Sequence, residues 1–425
     1  MAHTPPTILI LGAGYGGLQA ARSLDEAFRR RLQPPALVLV DQRPFHQLIT
    51  QLHEVAAGTL EAGQAMVPLE GILEGRRIEF ALGRVRRIDV QERQVVLDTR
   101  QVSYDYLVMA LGSETELFGI PGLAEHAFRL RWLDEARHLR AHLARLVRQV
   151  SVERDPERRK VLPQVVVGGG GYTGVELIAE LADSLRAAMG RLAQTQGAPQ
   201  EPFSLTLVEA GPEIMAGFRR QLVEEARRQL ERKGVAILTN TGIQSVAPEV
   251  AHLSTGASLQ AGTIVWTGGI RGNPLIESCG LATGPRGRAL VNAYLQSVSD
   301  PRVYVIGDSA FATDPATGVP LAPSAQLAMK QGQHVARNLH RLLLGLEPRP
   351  FVPGHLATIV SLGTDSAIAD LERLVFYGRS ARILKHLAVI RYLYGLGGVR
   401  LALRHAPEVL EAVPVIGSPP GRLAA

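Results

Sequence analysis

The sequence predicts an α/β protein in which one strand–turn–helix unit occurs twice. Thr7–Leu11 is a short apolar run that passes directly into the glycine-rich stretch 12–17, and apolar residues then recur at helical spacing up to residue 28. The same order of strand, glycines and helix returns over residues 164–188. Because the tight turn between strand and helix is rich in glycine in both copies, each copy is typical of a Rossmann-like dinucleotide-binding domain.

Composition limits the classes of protein to consider. The chain has 425 residues, of which 46% are hydrophobic and 20% charged, so two or three packed domains are expected. Its formal net charge of +6 identifies no partner by itself, and no nucleic-acid partner is predicted. The single cysteine, Cys279, excludes an internal disulfide and a two-thiol redox relay. Redox chemistry in this chain would therefore need a bound cofactor.

Targeting and metal-binding signals are missing from the sequence. The apolar run 8–11 is too short for a signal peptide, and no stretch of about 18 uncharged apolar residues occurs. We therefore expect neither secretion nor a membrane-spanning helix. His46 and His53 have no cysteine or aspartate cluster beside them, so they are interpreted as ordinary histidines and no metal is predicted.

The spacing within the first glycine turn suits a bound pyrophosphate. Gly12 permits the tight turn, Gly14 lets the backbone approach the phosphates, and Gly17 lets the helix pack on the strand. The helix N-terminus adds free amide groups and the positive end of the helix dipole. Asp41 ends the next strand, where a carboxylate can accept hydrogen bonds from both ribose hydroxyls of an adenosine.

A second glycine turn repeats the pattern with Gly169, Gly171 and Gly174, and its acidic residue is Glu209. Two turns of this kind predict two bound dinucleotides. A carboxylate at the position of Glu209 repels a 2′-phosphate, which favours NADH over NADPH. The alternative for either turn is a glycine-rich loop that binds nothing.

Three further apolar runs end at glycines, an arrangement that brings the backbone close to a ligand. They are residues 104–110, closed by Leu111 and Gly112; residues 263–267, closed by Gly268 and Gly269; and residues 303–306, closed by Gly307 and Asp308.

The C-terminal part of the chain is basic and amphipathic. Residues 373–404 contain no acidic side chain, and apolar residues are interleaved with seven basic ones: Arg373, Arg379, Arg382, Lys385, Arg391, Arg400 and Arg404. This pattern favours contact with an anionic lipid surface. A helix at a domain or dimer interface is the alternative.

Six segments, in chain order, resemble motifs of the type II NADH dehydrogenases: YDYLVMALGSETELFGIPGLAEHAFRL, VVVGGGGYTGVELIAEL, LVEAGPEIMAGF, IVWTGGI, VYVIGDSA and LAPSAQLAMKQGQHVARNL. The resemblance spans roughly residues 7 to 400. Members of that family are single-subunit, peripheral membrane flavoproteins that pass electrons from NADH to quinone, within the wider fold of flavoproteins with two dinucleotide-binding domains.

The resemblance implies how the chain is divided. An FAD-binding domain would be formed by residues 1–119 and 290–345, with an NADH-binding domain, residues 120–289, inserted into it. Residues 346–425 would follow as an amphipathic C-terminal segment for membrane association or dimerisation.

The resemblance also implies a set of cofactor-binding residues. The first glycine turn with Asp41 would hold the ADP half of FAD, residues 110–112 would form a second FAD contact, and Asp308 would bind the ribityl chain. The helix that begins near Ala325 would point its amides at the flavin pyrimidine ring. The full set is Gly12, Ala13, Gly14, Tyr15, Gly16, Gly17, Asp41, Arg43, Val85, Ala110, Leu111, Gly112, Gly169, Gly171, Tyr172, Thr173, Gly174, Glu209, Gly268, Gly269, Gly307, Asp308 and Ala325.

Three residues are expected to act near the reacting groups. Glu176 matches the family position near nicotinamide and flavin, where it would place NADH or relay a proton; the alternative is an ordinary helix-face glutamate. The family's quinone-side motif, Ala-Gln-x-x-x-Gln, runs here from Ala325 to Lys330, so Gln326 is kept and Lys330 replaces the second glutamine. Lys330 would place a cationic donor there, and a solvated surface lysine is the alternative.

The reaction that the resemblance implies is hydride transfer from NADH to FAD, followed by transfer of two electrons to a membrane quinone, menaquinone or ubiquinone, without proton pumping. A peripheral position on the cytoplasmic face of the inner membrane and a homodimer are further expectations. The alternatives are a soluble FAD-dependent NADH oxidase, a reductase of a protein acceptor, and a flavoprotein that senses NADH or quinone.

Overall fold

Two compact units make up the chain, of which the computed structural model describes residues 5–196, 202–372 and 374–411. The first unit comprises the residues up to Thr50, Met66–Glu116 and Gly269–Leu356. The second unit comprises Gln51–Ala65, Leu117–Gly268 and the residues from Ala357 onward. The resemblance divides the chain at residues 119, 289 and 345 according to the nucleotide that each segment would bind. That division stays a prediction.

A five-stranded parallel sheet forms the centre of the first unit. Its strand order is Val303–Val305, Tyr106–Met109, Thr7–Leu11, Ala36–Asp41 and Ile78–Leu82. The strands are continuous apolar runs because both faces of such a sheet are covered, and residues 8–11 are completely buried. All five strands run the same way, so the first glycine turn and the glycines after residues 109 and 306 lie at one edge of the sheet.

The remaining elements of the first unit surround this sheet. Its other strands are Phe45–Gln47, Met66–Pro68, Val85–Asp89, Gln94–Leu97, Gln101–Ser103, Ser113–Thr115, Ile270–Gly272, Ala289–Leu290 and Ala310–Phe311. Its α-helices are Tyr15–Ala27, Leu69–Leu73, Pro274–Ser278 and Ala325–Leu342. The helices Tyr15–Ala27 and Ala325–Leu342 pack closely, because a Cβ atom at Gly332 would overlap the carbonyl oxygen of Gly16.

The second unit contains another five-stranded parallel sheet. Its strand order is Phe128–Arg129, Thr263–Trp266, Gln164–Gly168, Ser204–Val208 and Val235–Leu238. Two antiparallel three-stranded sheets accompany it, formed by Ile243–Ala247, Val250–Leu253 and Ser258–Gln260 and by Thr358–Ser361, Ala367–Asp370 and Val375–Tyr377. The α-helices are Leu52–Ala57, Leu123–His126, Leu133–Val152, Pro156–Val161, Tyr172–Gln196, Arg220–Arg232 and Gly378–Glu411. The two parallel sheets and the C-terminal helix confirm the predicted α/β class.

The C-terminal helix, Gly378–Glu411, is interrupted at Gly397 and Gly398, where the backbone leaves helical dihedral angles. Gly398 has a φ of 70°, a conformation that favours glycine. Within the described residues, no helix is both long enough and apolar enough to cross a bilayer. Two of the basic residues assigned to a lipid contact, Arg373 and the side chain of Arg404, lie outside the described part of the chain.

Candidate functional site

The first glycine turn has the shape that its glycines predict. A Cβ atom at Gly12 would overlap the carbonyl oxygen of Ala110, and one at Gly17 would overlap that of Gly12. These two glycines therefore bring the turn, the helix and the neighbouring strand end into close contact. A Cβ atom at Gly14 would meet nothing within 4 Å. The backbone at Gly14 is thus open on the side where a pyrophosphate would approach.

Asp41 fastens this turn to the end of its neighbouring strand. Its Oδ2 accepts a hydrogen bond from the backbone N–H of Ala13 at 2.6 Å, and its Oδ1 accepts one from Arg43 at 2.9 Å. Burial raises the pKa of Asp41, while the N–H groups of Ala13 and Arg43 oppose that rise. Each carboxylate oxygen can accept a further bond, so both remain able to accept from ribose hydroxyls.

His46 supports the same turn as a neutral side chain. Its Nδ1 donates to the carbonyl oxygen of Ala13 at 2.9 Å, and its ring lies edge-on to Tyr15, with 4.8 Å between the ring centroids. Burial lowers the pKa of His46 to about 4. Among the described residues, no group of three or more histidine, cysteine, aspartate or glutamate side chains could hold a metal ion.

The other predicted residues of the first unit line the same sheet edge or its core. Ser113 donates to Asp308 Oδ2 at 2.9 Å, which ties two strand ends together. Gln331, completely buried, accepts a hydrogen bond from the backbone N–H of Gly307 at 2.7 Å. This fixing role of Gln331 was not predicted, because only the fold places it against Gly307. Val85 packs against the apolar core of this unit.

The helix Ala325–Leu342 begins with an ordered N-terminus. Ser324 caps it by accepting a hydrogen bond from the N–H of Leu327 at 3.1 Å. The N–H groups of Ala325 and Gln326 precede the intrahelical bonds, so they can donate to a ligand. The Oε1 atom of Gln326 is buried and has no hydrogen-bond partner among the described residues. A buried amide oxygen of this kind marks a place where a polar ligand group would be stabilised.

Lys330 has two backbone acceptors. Its Nζ donates to the carbonyl oxygens of Pro353 at 2.8 Å and His355 at 2.6 Å. Two of its three N–H groups thus hold residues 353–355, and one is left for another acceptor.

The second glycine turn follows the same construction in the second unit. Glu209 accepts hydrogen bonds from the N–H groups of Gly170 and Gly211, each at 2.6 Å. A Cβ atom at Gly174 would overlap the carbonyl oxygen of Gly169, whereas one at Gly171 would meet nothing within 4 Å. Glu209 corresponds to Asp41, and Gly171 to Gly14, so this turn also leaves its backbone open to a phosphate.

The remaining predicted residues of the second unit surround this turn. Gly268 lies against Gly169, where a Cβ atom would collide with it. The backbone N–H of Thr267 donates to the carbonyl oxygen of Gly168 at 2.8 Å, and its hydroxyl oxygen lies 3.0 Å from the carbonyl oxygens of Gly168 and Gly169, one of which accepts its hydrogen. Tyr172 and Thr173 start the helix Tyr172–Gln196, and the Tyr172 hydroxyl donates to Ile359 O at 3.1 Å. Gly269 belongs to the first unit, where its carbonyl oxygen accepts from the N–H of Glu116.

Glu176 lies in a buried ionic cluster of the second unit. We use that name for His53, Glu54, Glu176, Glu180, Arg382, Lys385 and His386, all of which are less than a tenth exposed. The Nζ atom of Lys385 is 3.4 Å from Glu176 Oε1 and 3.3 Å from Glu54 Oε1. Arg382 forms a second ion pair with Glu54, at 3.0 Å. The backbone N–H of Ser361 donates to Glu176 Oε1 at 2.8 Å.

The position of the His53 proton follows from its neighbours. Its Nε2 is 3.0 Å from Lys385 Nζ. Because an ammonium group has only donors, Nε2 accepts, and the imidazole hydrogen sits on Nδ1, which is 3.6 Å from Glu176 Oε2. Burial, and next the charge of Lys385, keep the pKa of His53 well below its usual range. His53 is therefore neutral at neutral pH.

The two carboxyl groups beside Lys385 have opposite shifts. Burial raises the pKa of Glu176 to about 7, although the ammonium of Lys385 opposes the rise. Burial acts in the same direction on Glu54, but Lys385 and other neighbouring cations outweigh it and lower the pKa of Glu54 to about 2. At neutral pH Glu54 is therefore ionised, whereas Glu176 is protonated in about half of the molecules.

This cluster corrects part of the sequence interpretation. Arg382 and Lys385 were counted with the lipid-facing basic residues, yet both are buried and pair with Glu54. His53, expected to be a satisfied or exposed histidine, is buried, with its Nε2 hydrogen-bonded to Lys385 and its Nδ1 facing Glu176. No local sequence pattern indicates this cluster, because more than 300 residues separate His53 from Lys385.

Comparison with known proteins identifies the family. Residues 6–332 match the family described as pyridine nucleotide-disulphide oxidoreductase. The type II NADH:quinone oxidoreductase of Staphylococcus epidermidis RP62A is 31% identical over 407 residues, which cover 95% of this chain and 99% of that protein. The enzyme of the same name from Staphylococcus aureus NCTC 8325 is 30% identical over the same shares of the two chains.

Solved structures share the fold. The structure of NDH2 from Plasmodium falciparum in complex with NADH superposes with a TM-score of 0.82 at 17% identity, over 96% of this chain and 99% of that one. The sulfide:quinone oxidoreductase of Aquifex aeolicus superposes with a TM-score of 0.75 at 17% identity, over 98% of this chain and 100% of that one. The family model and the curated relatives confirm the resemblance to the type II NADH dehydrogenases. The chain belongs to the type II NADH:quinone oxidoreductases.

Proposed function

We propose that this chain oxidises NADH and reduces a membrane quinone, menaquinone or ubiquinone, without proton pumping. The observation that carries the proposal is the pair of glycine turns, each closed by a carboxylate and each open at its second glycine. When bound, FAD supplies the chemistry that accepts a hydride from NADH and passes two electrons to quinone. The protein supplies positions for the nucleotides and controls where a proton is held.

The first unit would hold FAD. The amides of the first glycine turn and the helix after it would bind the pyrophosphate, and Asp41 would accept from the adenosine ribose. Asp308, fixed by Ser113, would bind the ribityl chain. The free N–H groups at the start of the helix Ala325–Leu342 would face the pyrimidine ring, where negative charge develops. Ala13, Tyr15, Gly16, Arg43, Val85, Ala110, Leu111, Gly112 and Gly307 complete the proposed set.

The second unit would hold NADH. The second glycine turn would bind its pyrophosphate, with Tyr172 and Thr173 at the helix start and Gly268 beside the turn. Gly269 completes the predicted set. Glu209 would accept from the ribose hydroxyls and repel a 2′-phosphate. Equal kcat/KM values for NADH and NADPH would contradict this assignment.

Glu176 would hold the proton that the reaction consumes. A carboxyl with a pKa of about 7 is protonated in about half of the molecules at neutral pH, which suits proton transfer in either direction. Lys385 would stabilise the carboxylate after the proton has left. NADH placement remains the other proposed role of this residue.

Quinone would meet the helix Ala325–Leu342. Gln326 is the best supported contact, because its buried Oε1 has no partner in the described part of the chain. Lys330 would act through residues 353–355, whose carbonyl oxygens it holds, and its third N–H could reach the acceptor.

The C-terminal helix would bind the cytoplasmic face of the inner membrane. Leu387, Tyr394, Val399 and Leu403 are each more than half exposed, and Arg391 and Arg400 are exposed among them. Exposed apolar side chains interleaved with arginine suit the interface of an anionic bilayer. A homodimer through the same helix is the competing outcome.

The proposal is tested with the purified protein, loaded with FAD and bound to sealed vesicles that contain quinone and an internal pH dye. We expect one quinol for each NADH consumed and no change of internal pH. A steady pH change that requires NADH would contradict a reaction without proton pumping. Fast NADH oxidation with oxygen alone, and no quinol, would favour an NADH oxidase.

A further inference from the structure

Glu180 is a second buried carboxyl in the ionic cluster, one helical turn after Glu176 on the helix Tyr172–Gln196. Its side chain is completely buried. Its Oε1 lies 2.6 Å from the hydroxyl oxygen of Thr59, and its Oε2 has no hydrogen-bond partner among the described residues. Residues four apart on a helix have Cβ atoms about 6 Å apart, so Glu180 and Glu176 are neighbours on one helix face.

Thr59 connects this buried carboxyl to solvent. It follows the C-terminal glycine of the helix Leu52–Ala57 and is exposed. Every other described side chain that hydrogen-bonds or ion-pairs with Glu54, Glu176 or Glu180 is buried. Thr59 is therefore the exposed polar contact of the cluster's carboxyl groups within the described residues.

The hydrogen bonds of Thr59 indicate which group carries the proton. Its hydroxyl oxygen lies 2.6 Å from Glu180 Oε1 and 3.2 Å from the backbone carbonyl oxygen of Glu54. A hydroxyl has one hydrogen, and the carbonyl can only accept. Both bonds form together when Glu180 is protonated and donates to Thr59, which then donates to the carbonyl of Glu54.

The net shift in the pKa of Glu180 also favours its protonated form. Burial, and next the negative charge of Glu54, raise the pKa of Glu180, while Arg382 and Lys385 oppose the rise. Other titratable and charged groups lie on the helix of Glu180 and on the neighbouring segments. On its own helix these are Glu176 and Asp183. The others are His53 and Glu54 on Leu52–Ala57, Glu61, Arg140 on Leu133–Val152, and Arg382, Lys385 and His386 on Gly378–Glu411.

We propose that Thr59 and Glu180 form the entrance through which a proton from water reaches Glu176. The inference rests on the proposed function, because oxidation of one NADH by one quinone consumes one proton to give NAD⁺ and quinol. Glu180, which is already protonated, first gives its proton to the carboxylate of Glu176 one helical turn away. The Thr59 hydroxyl then passes its hydrogen to the Glu180 carboxylate while it takes a proton from bulk solvent, which restores the starting state. Thr59 and Glu180 are relay residues and need not touch quinone.

The test uses Thr59→Val, Thr59→Ser and Glu180→Gln, with Thr195→Val as the matched control. Thr195 is exposed on the same helix, and within the described residues its hydroxyl donates to the backbone carbonyl of Arg191. The first readout is the rate at which the infrared bands of protonated carboxyl groups shift after transfer of the protein from H₂O to D₂O. This readout needs neither NADH nor quinone. The second readout is the solvent deuterium isotope effect on NADH-dependent quinone reduction.

We expect Thr59→Val to slow carboxyl exchange and quinone reduction about tenfold and to raise the isotope effect. Thr59→Ser, which keeps the hydroxyl, restores both. Glu180→Gln removes one carboxyl band and slows exchange of the other. The Thr195→Val control matches the unchanged protein. Unchanged exchange in both Thr59→Val and Glu180→Gln overturns the proposal, and so does a Thr59→Ser variant as slow as Thr59→Val.

The proposed function is checked separately by adding NADH to the unchanged protein and following the flavin absorption band. Absence of bleaching would contradict the proposed function, while the infrared measurement would still decide whether Thr59 and Glu180 admit protons to the cluster.

Discussion

The charge states of individual side chains decide what the buried ionic cluster can do. Glu54 is held ionised by Lys385 and Arg382, and this pairing compensates the cost of burying three charges. Glu176 also lies beside Lys385, but the effect of its burial outweighs that of the ammonium group. Its pKa is therefore raised to about 7. Two carboxyl groups beside one ammonium thus have different charge states, and the proposed function uses Glu54 as a fixed counter-ion and Glu176 as a proton carrier.

The Glu176→Gln variant tests this assignment through stability. The folded state raises the pKa of Glu176 from 4.5 to about 7, so between these values the folded chain binds a proton that the unfolded chain has lost. This contribution to stability is complete below pH 4.5 and is lost as the pH rises to about 7, by about 3 kcal/mol. The difference in unfolding free energy between the unchanged protein and Glu176→Gln should therefore fall by this amount as the pH rises from 4.5 to about 7. A difference that stays constant with pH would contradict the assignment.

Lys330 holds residues 353–355 in place, because its ammonium group donates hydrogen bonds to the carbonyl oxygens of residues 353 and 355. We expect Lys330→Met, which keeps the chain length and loses the donors, to reduce the unfolding free energy by about 1 kcal/mol, because part of the site is open to solvent. Residues 353–355 should also become easier to cleave with a protease. Lys160→Met is the control, because Lys160 forms an exposed pair with Glu157. Equal effects of the two variants would contradict a fixing role for Lys330.

At the scale of elements, each glycine turn joins a buried strand to a helix and leaves one glycine open. Glycine spacing, strand pattern and the acidic residue were all visible in the sequence, so the turns and their carboxylates could be predicted. The ionic cluster could not be predicted in the same way. Its members come from three helices that are distant in the chain, and helical periodicity does not distinguish a basic side chain facing lipid from one paired with a buried carboxylate.

Gly14→Ala tests the first turn as a ligand-binding element. A methyl group there meets no atom of the protein within 4 Å, so the variant should fold with the stability of the unchanged chain when FAD is absent. The methyl group would occupy the approach of the pyrophosphate, and we expect FAD to bind at least about tenfold more weakly. Gly63→Ala is the control, because Gly63 is equally open and belongs to the second unit. Equal FAD affinity in both variants would show that the turn does not bind the cofactor.

The helix Gly378–Glu411 is tested by removing exposed leucines. Leu387 and Leu403 are 53% and 63% exposed, so each would bury apolar area in lipid worth about 1 kcal/mol. The double variant Leu387→Ser, Leu403→Ser should bind anionic vesicles at least about tenfold more weakly in co-sedimentation. The double variant Leu32→Ser, Leu344→Ser, with exposed leucines of the first unit, is the control. Unchanged vesicle binding together with a loss of dimers would favour the dimer interface.

At the scale of the whole molecule, the proposed function assigns the hydride carrier to the first unit and the hydride donor to the second. A single cysteine removes the thiol chemistry used elsewhere on this fold, which leaves the bound cofactor to carry the electrons. The family and the fold class could be predicted from the sequence because they depend on local motifs in a fixed order. The proposed acceptor site depends on side chains around the helix Ala325–Leu342, where the resemblance predicts a glutamine and this chain has Lys330.

The most direct test of the central claim follows the flavin absorption band in an anaerobic stopped-flow experiment. The purified protein is mixed first with NADH and then with a short-chain quinone. The account predicts that NADH bleaches the band rapidly and that quinone restores it rapidly, with one quinol formed for each NADH. Bleaching without recovery would contradict quinone as the acceptor and would favour a protein acceptor or a sensing role.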